Sequence, residues 1–414
     1  MSNSQPNLRV QFVTYYFAPD GGAAANRLAR LASALQQRGA SVRVLSTMPH
    51  YPEGRIREGY RGRLWMRDSW KNIRVDRAWV STFGGTGFAA KLLGHLTFMV
   101  TGAIRAAALP RPDMMLIEAQ PVFAGFAACL IARLRRIPYV LNVSDLWPDH
   151  LAGVGVLKES SLLYRLMAWI VRTCYGPARS IVAMTPLLEE RIRQRVSDPS
   201  KVITILNGVD LTRFRPDPSS RAFASRHGTG SGPVISFIGT FATAYDFECM
   251  VAVIDRCART VPDATFLFVG TGSQMGAMGS RLAACPNVRM IEWLQADEVP
   301  LAWQSSDIAW WVLRDSDLAR GTIPAKLFEA FACGVPVVAG QRGVGADMIE
   351  RSGGGIVVAP GDVVATAEAV ERLLRSPEEC DERRKAGRAW AEAHFDASVG
   401  VDRYERLMRS AADY

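Results

Sequence analysis

Two residues of opposite charge, Lys326 and Glu329, could together bind a charged ligand. They lie three positions apart in the stretch PAKLFEAFACGVPVVA, which predicts a short helix from Pro324 to Gly334 and then a buried strand. Side chains three residues apart share one face of a helix. A cation, a carboxylate and the positive end of the helix would then lie together, which suits an anionic ligand that carries hydroxyl groups. The alternative is a buried helix with one solvated ion pair.

A second set of candidates follows predicted strands in the first half of the chain. The turn at Gly21 and Gly22 would let backbone N–H groups approach a phosphate or a sugar. His50, in the run MPHYP, is expected to contact a ligand or to relay a proton. Glu118 and Asp145 end or follow later strands, at the sheet edge where open α/β sheets bind ligands. Asp145 could orient a ligand hydroxyl or cap the next helix, and a plain turn and a surface loop remain open for the glycine pair and His50.

The elements that position these residues alternate between short apolar strands and amphipathic helices. Strands are predicted at 8–14, 42–46, 113–117, 137–143, 180–184, 234–239, 265–270, 288–294, 307–313, 335–339 and 353–358. Helices are predicted at 23–39, 88–109, 363–374, 378–394 and 399–408. This order predicts an α/β protein with two doubly wound, Rossmann-like domains. The polar stretch 218–233 predicts the linker, with the domain boundary near residue 210.

Composition narrows the class of protein. With 414 residues, 21% charged and 49% hydrophobic, the chain suits two globular domains rather than a disordered protein. The formal charge of +9 could serve anionic lipid or phosphorylated substrates, but the basic residues are scattered and match no nucleic-acid motif, so nucleic acid is not expected. Seven cysteines without a C-x-x-C pair predict reduced thiols in a cytoplasmic protein. No signal peptide and no spanning helix are predicted.

The stretch PAKLFEAFACGVPVVA resembles the donor-binding segment of the GT4-type retaining glycosyltransferases. Their GT-B fold has two Rossmann-like domains with parallel sheets that face each other across a cleft. The runs PHYPEG, SDLWPD and NGVDLTRF are similar to the subgroup that builds bacterial surface polysaccharides, such as the N-acetylfucosamine transferases of O-antigen synthesis. The resemblance implies an acceptor-binding domain at 1–209, a nucleotide-sugar domain at 210–395 and a C-terminal helix at 396–414 that returns to the first domain.

The resemblance also implies roles for individual residues. Glu329 would hold the donor ribose and Lys326 the diphosphate, and both Lys326 and two first-domain residues, Asp145 and His50, would act in catalysis. The family often has a basic residue where Thr243 stands, so Arg314 or Arg320 would have to assist Lys326. Gly321 replaces the first Glu of the family's E-x7-E pattern, so no residue is assigned to bind the transferred sugar. The remaining implied contacts are Gly239, Thr240, Gly272, Pro324 and Leu327 for the donor, and Gly21, Gly22 and Glu118 for the acceptor or phosphate loop.

The implied function is retaining transfer of a sugar from a nucleoside diphosphate to an acceptor. The subgroup suggests a UDP-linked N-acetylated or deoxy-amino sugar and a saccharide on undecaprenyl diphosphate. No cofactor or metal is expected, and the D-S-D run at 315–317 is interpreted as a chance match to a metal motif. The apolar stretches 88–109 and 164–171 suit peripheral contact with the cytoplasmic face of the inner membrane, although ordinary buried helices are the alternative. A nucleotide-sugar 2-epimerase and a catalytically silent assembly partner remain rival interpretations.

Overall fold

A computed structural model describes residues 8–51, 53–83, 87–153, 155–217, 221–292 and 294–412. The chain forms two compact units. The N-terminal unit contains the chain up to Leu206 and again from Gly400, and the C-terminal unit runs over Asn207–Val399. Each unit has its own hydrophobic core and its own sheet, and both sheets are largely parallel. The α/β class predicted from the sequence is therefore confirmed.

The N-terminal unit is built on a sheet with the strand order β3-β4-β2-β1-β5-β6-β7-β8. Its strands are β1 (Arg9–Val13), β2 (Ser41–Thr47), β3 (Trp65–Trp70), β4 (Ile73–Ala78), β5 (Met114–Glu118), β6 (Tyr139–Val143), β7 (Ser180–Ala183) and β8 (Val202–Thr204). Its helices are α1 (Ala23–Gln37), α2 (Phe88–Ala108), α3 (Val122–Leu134), α4 (Asp149–Gly153), α5 (Leu162–Tyr175) and α6 (Pro186–Arg193), with a 3-10 turn at Pro199–Lys201. The central strands are buried throughout, as continuous apolar runs require.

The hairpin of β3 and β4 is absent from the sequence-based prediction. It is the one antiparallel pair of this sheet, joined by a turn in which Lys71 and Asn72 both have positive φ angles of 45° and 64°. Two consecutive positive φ values are the geometry of the tight hairpin turn. The sequence did not signal it because the turn lacks glycine and β3, WMRDSW, is polar and lies at the sheet edge.

The C-terminal unit has a six-stranded sheet in the order β11-β10-β9-β12-β13-β14, and all of its pairings are parallel. Its strands are β9 (Val234–Ile238), β10 (Thr265–Val269), β11 (Val288–Ile291), β12 (Ile308–Val312), β13 (Val337–Gly340) and β14 (Gly355–Val358). Its helices are α7 (Arg221–Arg226), α8 (Phe247–Thr260), α9 (Met275–Ala283), α10 (Val299–Gln304), α11 (Asp317–Arg320), α12 (Ala325–Ala332), α13 (Val344–Ser352), α14 (Val363–Arg375) and α15 (Pro377–His394).

Strand order fixes where each sheet can bind a ligand. Successive strands run outward from β9 in both directions, so β9 and β12 flank the switch point of the second sheet; β1 and β5 do so in the first. Loops that leave the carboxyl ends of such neighbouring strands diverge and leave a crevice between them. The predicted site residues after β9, β12, β1 and β5 therefore stand at these two positions.

The polar stretch 218–233 is not a linker, which corrects the sequence-based prediction. Its described part, from residue 221, belongs to the C-terminal unit, where Phe223 and Ala224 are 2% exposed. The stretch looks polar because these two apolar residues are surrounded by Ser, Arg and Gly. The chain instead leaves the N-terminal unit after Leu206.

The last helix, α16 (Ala397–Ala412), begins in the C-terminal unit and continues into the N-terminal one. Tyr404 and Met408 are buried in the N-terminal core. The Tyr404 hydroxyl donates a 2.6 Å hydrogen bond to Oδ1 of Asn142 on β6. All seven cysteines are free, and no helix in the described ranges is long and apolar enough to cross a membrane.

Candidate functional site

Helix α12 carries the pair of charges that the sequence singled out. Pro324 is its N-cap in an extended conformation, so the helix begins one residue later than predicted, and Gly334 follows its end with φ at 68°. The backbone N–H groups of Ala325 and Lys326 find no acceptor among the described residues, while that of Leu327 bonds to the Pro324 carbonyl. The start of this helix therefore has two unpaired donors available for an anion.

Lys326 is a buried cation without a hydrogen-bond partner. Its side chain is 5% exposed, and Nζ bonds to no acceptor in the described part of the chain. The ammonium lies against aromatic rings, 3.1 Å from the Phe237 ring centroid, 4.2 Å from that of Tyr245 and 5.9 Å from that of Trp311. Burial lowers the pKa of Lys326 well below its ordinary value, and the charge of Glu329 offsets only part of that effect. Such a cation is poised for an anionic ligand.

Glycine turns after β9 and β10 leave room beside this ammonium. Gly239 has φ at 146°, and a Cβ there would lie 3.5 Å from Lys326 Nζ. A Cβ at Gly270 would overlap the Gly239 carbonyl, and one at Gly272 would lie 2.6 Å from the Phe241 carbonyl oxygen. Only glycine permits the two turns to pack this closely. Gly239 and Gly272 thus shape the turn, and Thr240 between β9 and Phe241 is exposed.

Glu329, on the same helix, is held by a tryptophan that the sequence analysis missed. Nε1 of Trp303, a fully buried residue of α10, donates a 3.0 Å hydrogen bond to Oε2 of Glu329. Glu329 itself is only partly buried. The carboxylate is therefore oriented from one side while still reaching the surface of the C-terminal unit. The sequence carried no signal for this contact, because α10 and α12 are separated by strand β12 and helix α11.

The two arginines considered as partners of Lys326 differ in their own contacts. Arg320 is paired with Asp315 at 3.0 Å and with Asp317 at 3.6 Å. Arg314 is half exposed, and its nearest carboxylate, Asp246, is 4.0 Å away. Both acidic residues of the D-S-D run are thus engaged by an arginine.

Two predicted donor contacts are buried. The Leu327 side chain lies in the core of the C-terminal unit, and its N–H is paired with the Pro324 carbonyl, so its contact with a donor stays a prediction. Pro324 is also buried and acts as the N-cap of α12. Gly321 lies in the short turn before the helix and offers no side chain to a sugar.

The glycine pair of the N-terminal unit opens helix α1. Gly22 is its N-cap with φ at 98°, a conformation that a larger residue adopts only with strain, and a Cβ there would be 3.6 Å from Tyr51 Cε1. A Cβ at Gly21 would meet nothing within 4 Å. Gly22 is therefore required by the turn, whereas Gly21 is not.

Glu118, predicted to line the acceptor or phosphate loop, is a fully bonded core residue. It is 4% exposed, and its two oxygens accept from Asn142 Nδ2 at 2.5 Å, Arg27 Nη2 at 2.9 Å and the Ser144 hydroxyl. Asn142 in turn accepts from Tyr404 of α16. The carboxylate ties β5, β6, α1 and α16 together and accepts three hydrogen bonds within the protein, so its direct contact with a ligand stays a prediction.

His50 is 7% exposed and oriented by the backbone. Its Nδ1 lies 2.9 Å from the Met48 carbonyl, which can only accept, so Nδ1 carries the hydrogen of the neutral ring. Nε2 makes no hydrogen bond within the described residues. Burial lowers the pKa of His50, which keeps the ring neutral at pH 7 with a free lone pair on Nε2.

Asp145 stands after β6, where the sequence placed it. Its side chain is 47% exposed, and Oδ1 lies 3.6 Å from His150 Nδ1. Its carbonyl accepts from Gln120 Nε2 at 2.5 Å, which fixes the backbone of the loop. The structure thus leaves the Asp145 carboxylate available, beside a histidine, at the carboxyl edge of the sheet.

Two family profiles cover most of the chain. Residues 22–208 match the Glycosyl transferase 4-like domain, and residues 232–376 match the Glycosyl transferases group 1 family. Each half of the chain thus matches a glycosyltransferase family, and the chain is a glycosyltransferase.

Individual relatives and solved structures have low sequence identity to this glycosyltransferase. A 190-residue segment is 32% identical to the GDP-mannose-dependent alpha-(1-6)-phosphatidylinositol monomannoside mannosyltransferase of Mycolicibacterium smegmatis, covering 44% of this chain and half of that relative. Sucrose-phosphate synthase of Thermosynechococcus elongatus superposes with a TM-score of 0.75 at 16% identity, covering 98% of this chain and 99% of the other. HepE of Anabaena in complex with UDP-glucose gives 0.72 at 16% identity, over 98% and 100%. These similarities establish the GT-B fold.

The glycosyltransferase also has a row of aromatic rings that the sequence analysis did not assemble. Tyr15 and Tyr16 follow β1, Tyr51 follows His50, and His95 on α2 stands near Trp147 after β6. The sequence signal for this row was the pair Tyr15 and Tyr16, which follows the buried strand β1. Among the described residues, no group of three or more His, Cys, Asp or Glu is placed to hold a metal ion.

Proposed function

We propose that this glycosyltransferase moves a sugar, with retention of anomeric configuration, from a nucleoside diphosphate to a saccharide carried on undecaprenyl diphosphate during synthesis of a bacterial surface polysaccharide. The donor is a UDP-linked N-acetylated or deoxy-amino sugar. Solved relatives with UDP-glucose support a nucleotide-sugar donor, and the mannosyltransferase relative is named for a lipid-borne acceptor. The C-terminal unit binds the donor and the N-terminal unit binds the acceptor.

The observation that carries the proposal is the unpaired ammonium of Lys326. A buried cation without an acceptor destabilises a protein unless a ligand satisfies it. The same helix, α12, opens with two N–H groups that have no acceptor among the described residues, and Gly239 leaves space beside the ammonium. Together these donors suit a diphosphate, and they would stabilise the negative charge that grows on it as the sugar leaves.

Arg314 supplies the second cation of the diphosphate site. Its backbone N–H bonds to the Ala244 carbonyl at 2.9 Å, so it stands beside the turn in which Thr243 replaces the expected basic residue. Arg320 is committed to two carboxylates, whereas Arg314 has one at 4.0 Å. Replacing the long Arg314–Asp246 ion pair with a contact between Arg314 and a phosphate is favourable, because an arginine can bind phosphate through two hydrogen bonds.

Glu329 accepts hydrogen bonds from the donor ribose. The Trp303 N–H holds one of its oxygens, which limits the rotation of the carboxylate. On the acceptor side, Asp145 orients the acceptor hydroxyl and His50 accepts a hydrogen bond through Nε2. The bond between the sugar C1 and the phosphate oxygen breaks, the acceptor oxygen bonds to C1 on the same face, and the acceptor proton passes to the departing phosphate.

A donor panel with purified full-length protein tests this function. UDP- and GDP-linked sugars are titrated by calorimetry, and each ligand that binds is incubated with an undecaprenyl-diphosphate-linked saccharide. We expect release of the nucleoside diphosphate and an NMR-defined product with the donor's anomeric configuration. Glu329→Gln should weaken donor binding, while Glu350→Gln, an exposed glutamate on α13, should not.

Four results would contradict the proposal in whole or in part. Formation of a sugar epimer from donor alone would identify a 2-epimerase. Absence of binding to every nucleotide sugar would identify a silent assembly partner. An inverted product would contradict the retaining mechanism, and preferential binding of GDP-sugars would contradict the UDP assignment.

We also propose that helices α2, α3 and α5 bring the N-terminal unit to the membrane surface. These helices pack side by side, α2 on α3 and α3 on α5. Together they expose a set of large apolar side chains: Leu93, Leu96, Val100, Ile104, Leu130, Leu134, Leu162, Leu166 and Trp169. The three helices contain five Lys or Arg residues and no Asp or Glu. An apolar face with basic residues and no acidic ones matches an anionic lipid surface.

Vesicle sedimentation tests this apolar face. We expect the protein to pellet with vesicles that contain phosphatidylglycerol and to remain in solution with phosphatidylcholine alone. Trp169→Asp should abolish pelleting, because Trp169 is 56% exposed on α5. Val364→Asp, at a 48% exposed position of the C-terminal unit, is the matched control. Equal pelleting of both variants would contradict the assignment.

A further inference from the structure

A continuous row of six aromatic rings crosses the carboxyl edge of the N-terminal sheet. The members of this aromatic row, in spatial order, are Tyr51, Tyr16, His50, Tyr15, His95 and Trp147. Successive ring centroids are 5.2, 5.5, 5.4, 5.0 and 6.4 Å apart. The rings come from the ends of β1, β2 and β6 and from helix α2, so four separate parts of the chain converge here.

The row is more than packing of a hydrophobic core, because it reaches the surface. Its two ends are accessible: Tyr51 is 38% exposed and Trp147 is partly exposed. The centre is buried, with Tyr15 3% and His50 7% exposed. Aromatic rings with polar atoms at their edges, at the ligand-binding edge of a sheet, are typical of small-molecule sites.

A buried carboxylate fixes the exposed end of the row. Oδ1 of Asp20 accepts from the backbone N–H groups of His50 and Tyr51, at 2.9 and 3.0 Å. Asp20 is 2% exposed and lies in the same loop as Gly22, whose lack of a side chain leaves room beside the Tyr51 ring. The tyrosine ring and the His50 imidazole are therefore held in position before any ligand arrives.

The aromatic row presents a neutral surface at pH 7. Burial raises the pKa of Tyr15 and Tyr16, so their hydroxyls stay protonated. Burial lowers the pKa of His50, and burial with the nearby His50 and Lys91 lowers that of His95 to about 4. None of these rings carries a positive charge that could pair with a phosphate, whereas a neutral ligand would bind without the cost of burying a charge.

We propose that the aromatic row is a saccharide subsite, in which a neutral pyranose packs its apolar face on Tyr16 and Tyr51 and donates a hydroxyl hydrogen bond to Nε2 of His50. The assignment of this sugar as the acceptor rests on the proposed function. Trp147, at the other end, offers a second ring for the next sugar of an oligosaccharide. The subsite explains why His50 keeps a free lone pair in an otherwise buried position.

Saturation-transfer NMR with the methyl glycosides of glucose, galactose, mannose and N-acetylglucosamine tests the subsite on the full-length protein. We expect at least one glycoside to receive saturation, mainly at the protons of one ring face. Tyr51→Ala should reduce that signal at least about fivefold, the loss expected for one aromatic contact. His50→Phe keeps the ring but removes the acceptor, and should weaken binding about fivefold. Phe83→Ala, at an 82% exposed aromatic outside the row, should change nothing.

Each outcome separates the subsite from the proposed function. No saturation of any glycoside, or equal saturation in the Tyr51→Ala protein, overturns the subsite. Loss of the glycoside signal when uridine is added as a competitor overturns the saccharide assignment in favour of a nucleoside. Glycoside binding by a protein that binds no nucleotide sugar in calorimetry keeps the subsite and removes the transferase assignment. Circular dichroism of each variant confirms that it is folded.

Discussion

Lys326 and Glu118 are both buried ionic groups near the switch point of a parallel sheet, but their surroundings differ. Glu118 has four polar residues arranged around it, directly or through Asn142, and its oxygens accept from side chains of three of them. Lys326 has aromatic rings around its ammonium and no acceptor within the described ranges. The carboxylate of Glu118 therefore has hydrogen-bond partners within the protein, whereas the described residues give the ammonium of Lys326 none.

The difference separates a structural charge from a binding charge. A completed network holds elements together and gains nothing from a ligand. An incomplete one costs stability in the free protein and recovers it when an anion binds. Sequence position alone did not distinguish them, since both residues matched expected site positions. Four measurements test this contrast.

The largest effect is expected from Lys326→Met. Loss of the ammonium should weaken binding of a nucleotide sugar by about 3 kcal/mol, or more than 100-fold, because a buried charge–charge contact is lost. The same variant should unfold at a higher temperature, because a buried and unpaired charge is replaced by an apolar chain of similar length. Calorimetry and thermal unfolding measure the two changes. Lys385→Met, at an exposed lysine of α15, is the control.

A lower melting temperature for Lys326→Met would contradict the distinction between Lys326 and Glu118, since it would mean that the ammonium has a hydrogen-bond partner inside the protein. Unchanged donor affinity would remove Lys326 from the diphosphate site. Unfolding experiments on ligand-free protein are needed for the first comparison, because bound donor stabilises the wild type alone.

Glu118→Gln should have the opposite profile. The amide cannot pair with Arg27 and turns one acceptor into a donor, so the free energy of unfolding should fall by about 2–3 kcal/mol. Donor affinity should stay at the wild-type value, because the C-terminal unit does not contain this network. Urea unfolding with calorimetry of the folded variant measures both. A loss of donor affinity without loss of stability would restore Glu118 to the binding site.

Donor binding should also take up protons. Burial lowers the pKa of Lys326 in the free protein, and the negative diphosphate raises it on binding. Between those two pKa values, affinity falls as pH rises, by at most about tenfold per pH unit for one proton. The stability gain of Lys326→Met should be greatest below the lowered pKa and vanish as pH approaches the ordinary lysine pKa of about 10.4. Calorimetry in buffers of different ionisation enthalpy counts the protons; equal heats in all buffers would contradict the prediction.

The smallest effect is expected from Trp303→Phe. The ring volume is largely kept, but the N–H that orients Glu329 is lost, which should weaken UDP binding by about 1 kcal/mol, or fivefold. Because Glu329 is assigned to the ribose, binding of inorganic diphosphate should not change. A parallel loss for both ligands would indicate that Trp303 supports the fold of the C-terminal unit rather than the ribose contact.

Local sequence signals placed most elements correctly. The apolar runs gave the central strands of both sheets because buried parallel strands have continuous apolar sequences. Gly334 after α12 and Asp246 before α8 follow the usual capping rules, and Asp246 indeed accepts from the Cys249 N–H at 3.2 Å. Elements with short-range determinants were therefore predictable.

Long-range packing was not predictable in the same way. The burial of Lys326 depends on Phe237 and Trp311, which come from two strands. The hydrogen-bond network of Glu118 includes Tyr404, which lies 286 positions later in the chain. The sequence did not signal the full burial of Leu327, because helical periodicity alone does not tell which of two adjacent residues faces the core. The aromatic row needed the strand order, which only the fold supplies.

The path of α16 also has a consequence for biosynthesis. Val401, Tyr404, Met408 and Ala411 fill the core of the N-terminal unit, yet the ribosome makes them after the whole C-terminal unit. The Asn142–Tyr404 hydrogen bond and the adjoining Glu118 network can therefore close only after synthesis passes residue 404. Domains commonly fold in order as they are translated. In this protein the unit translated first is completed last, so the newly made N-terminal unit must wait, partly open, for the final helix.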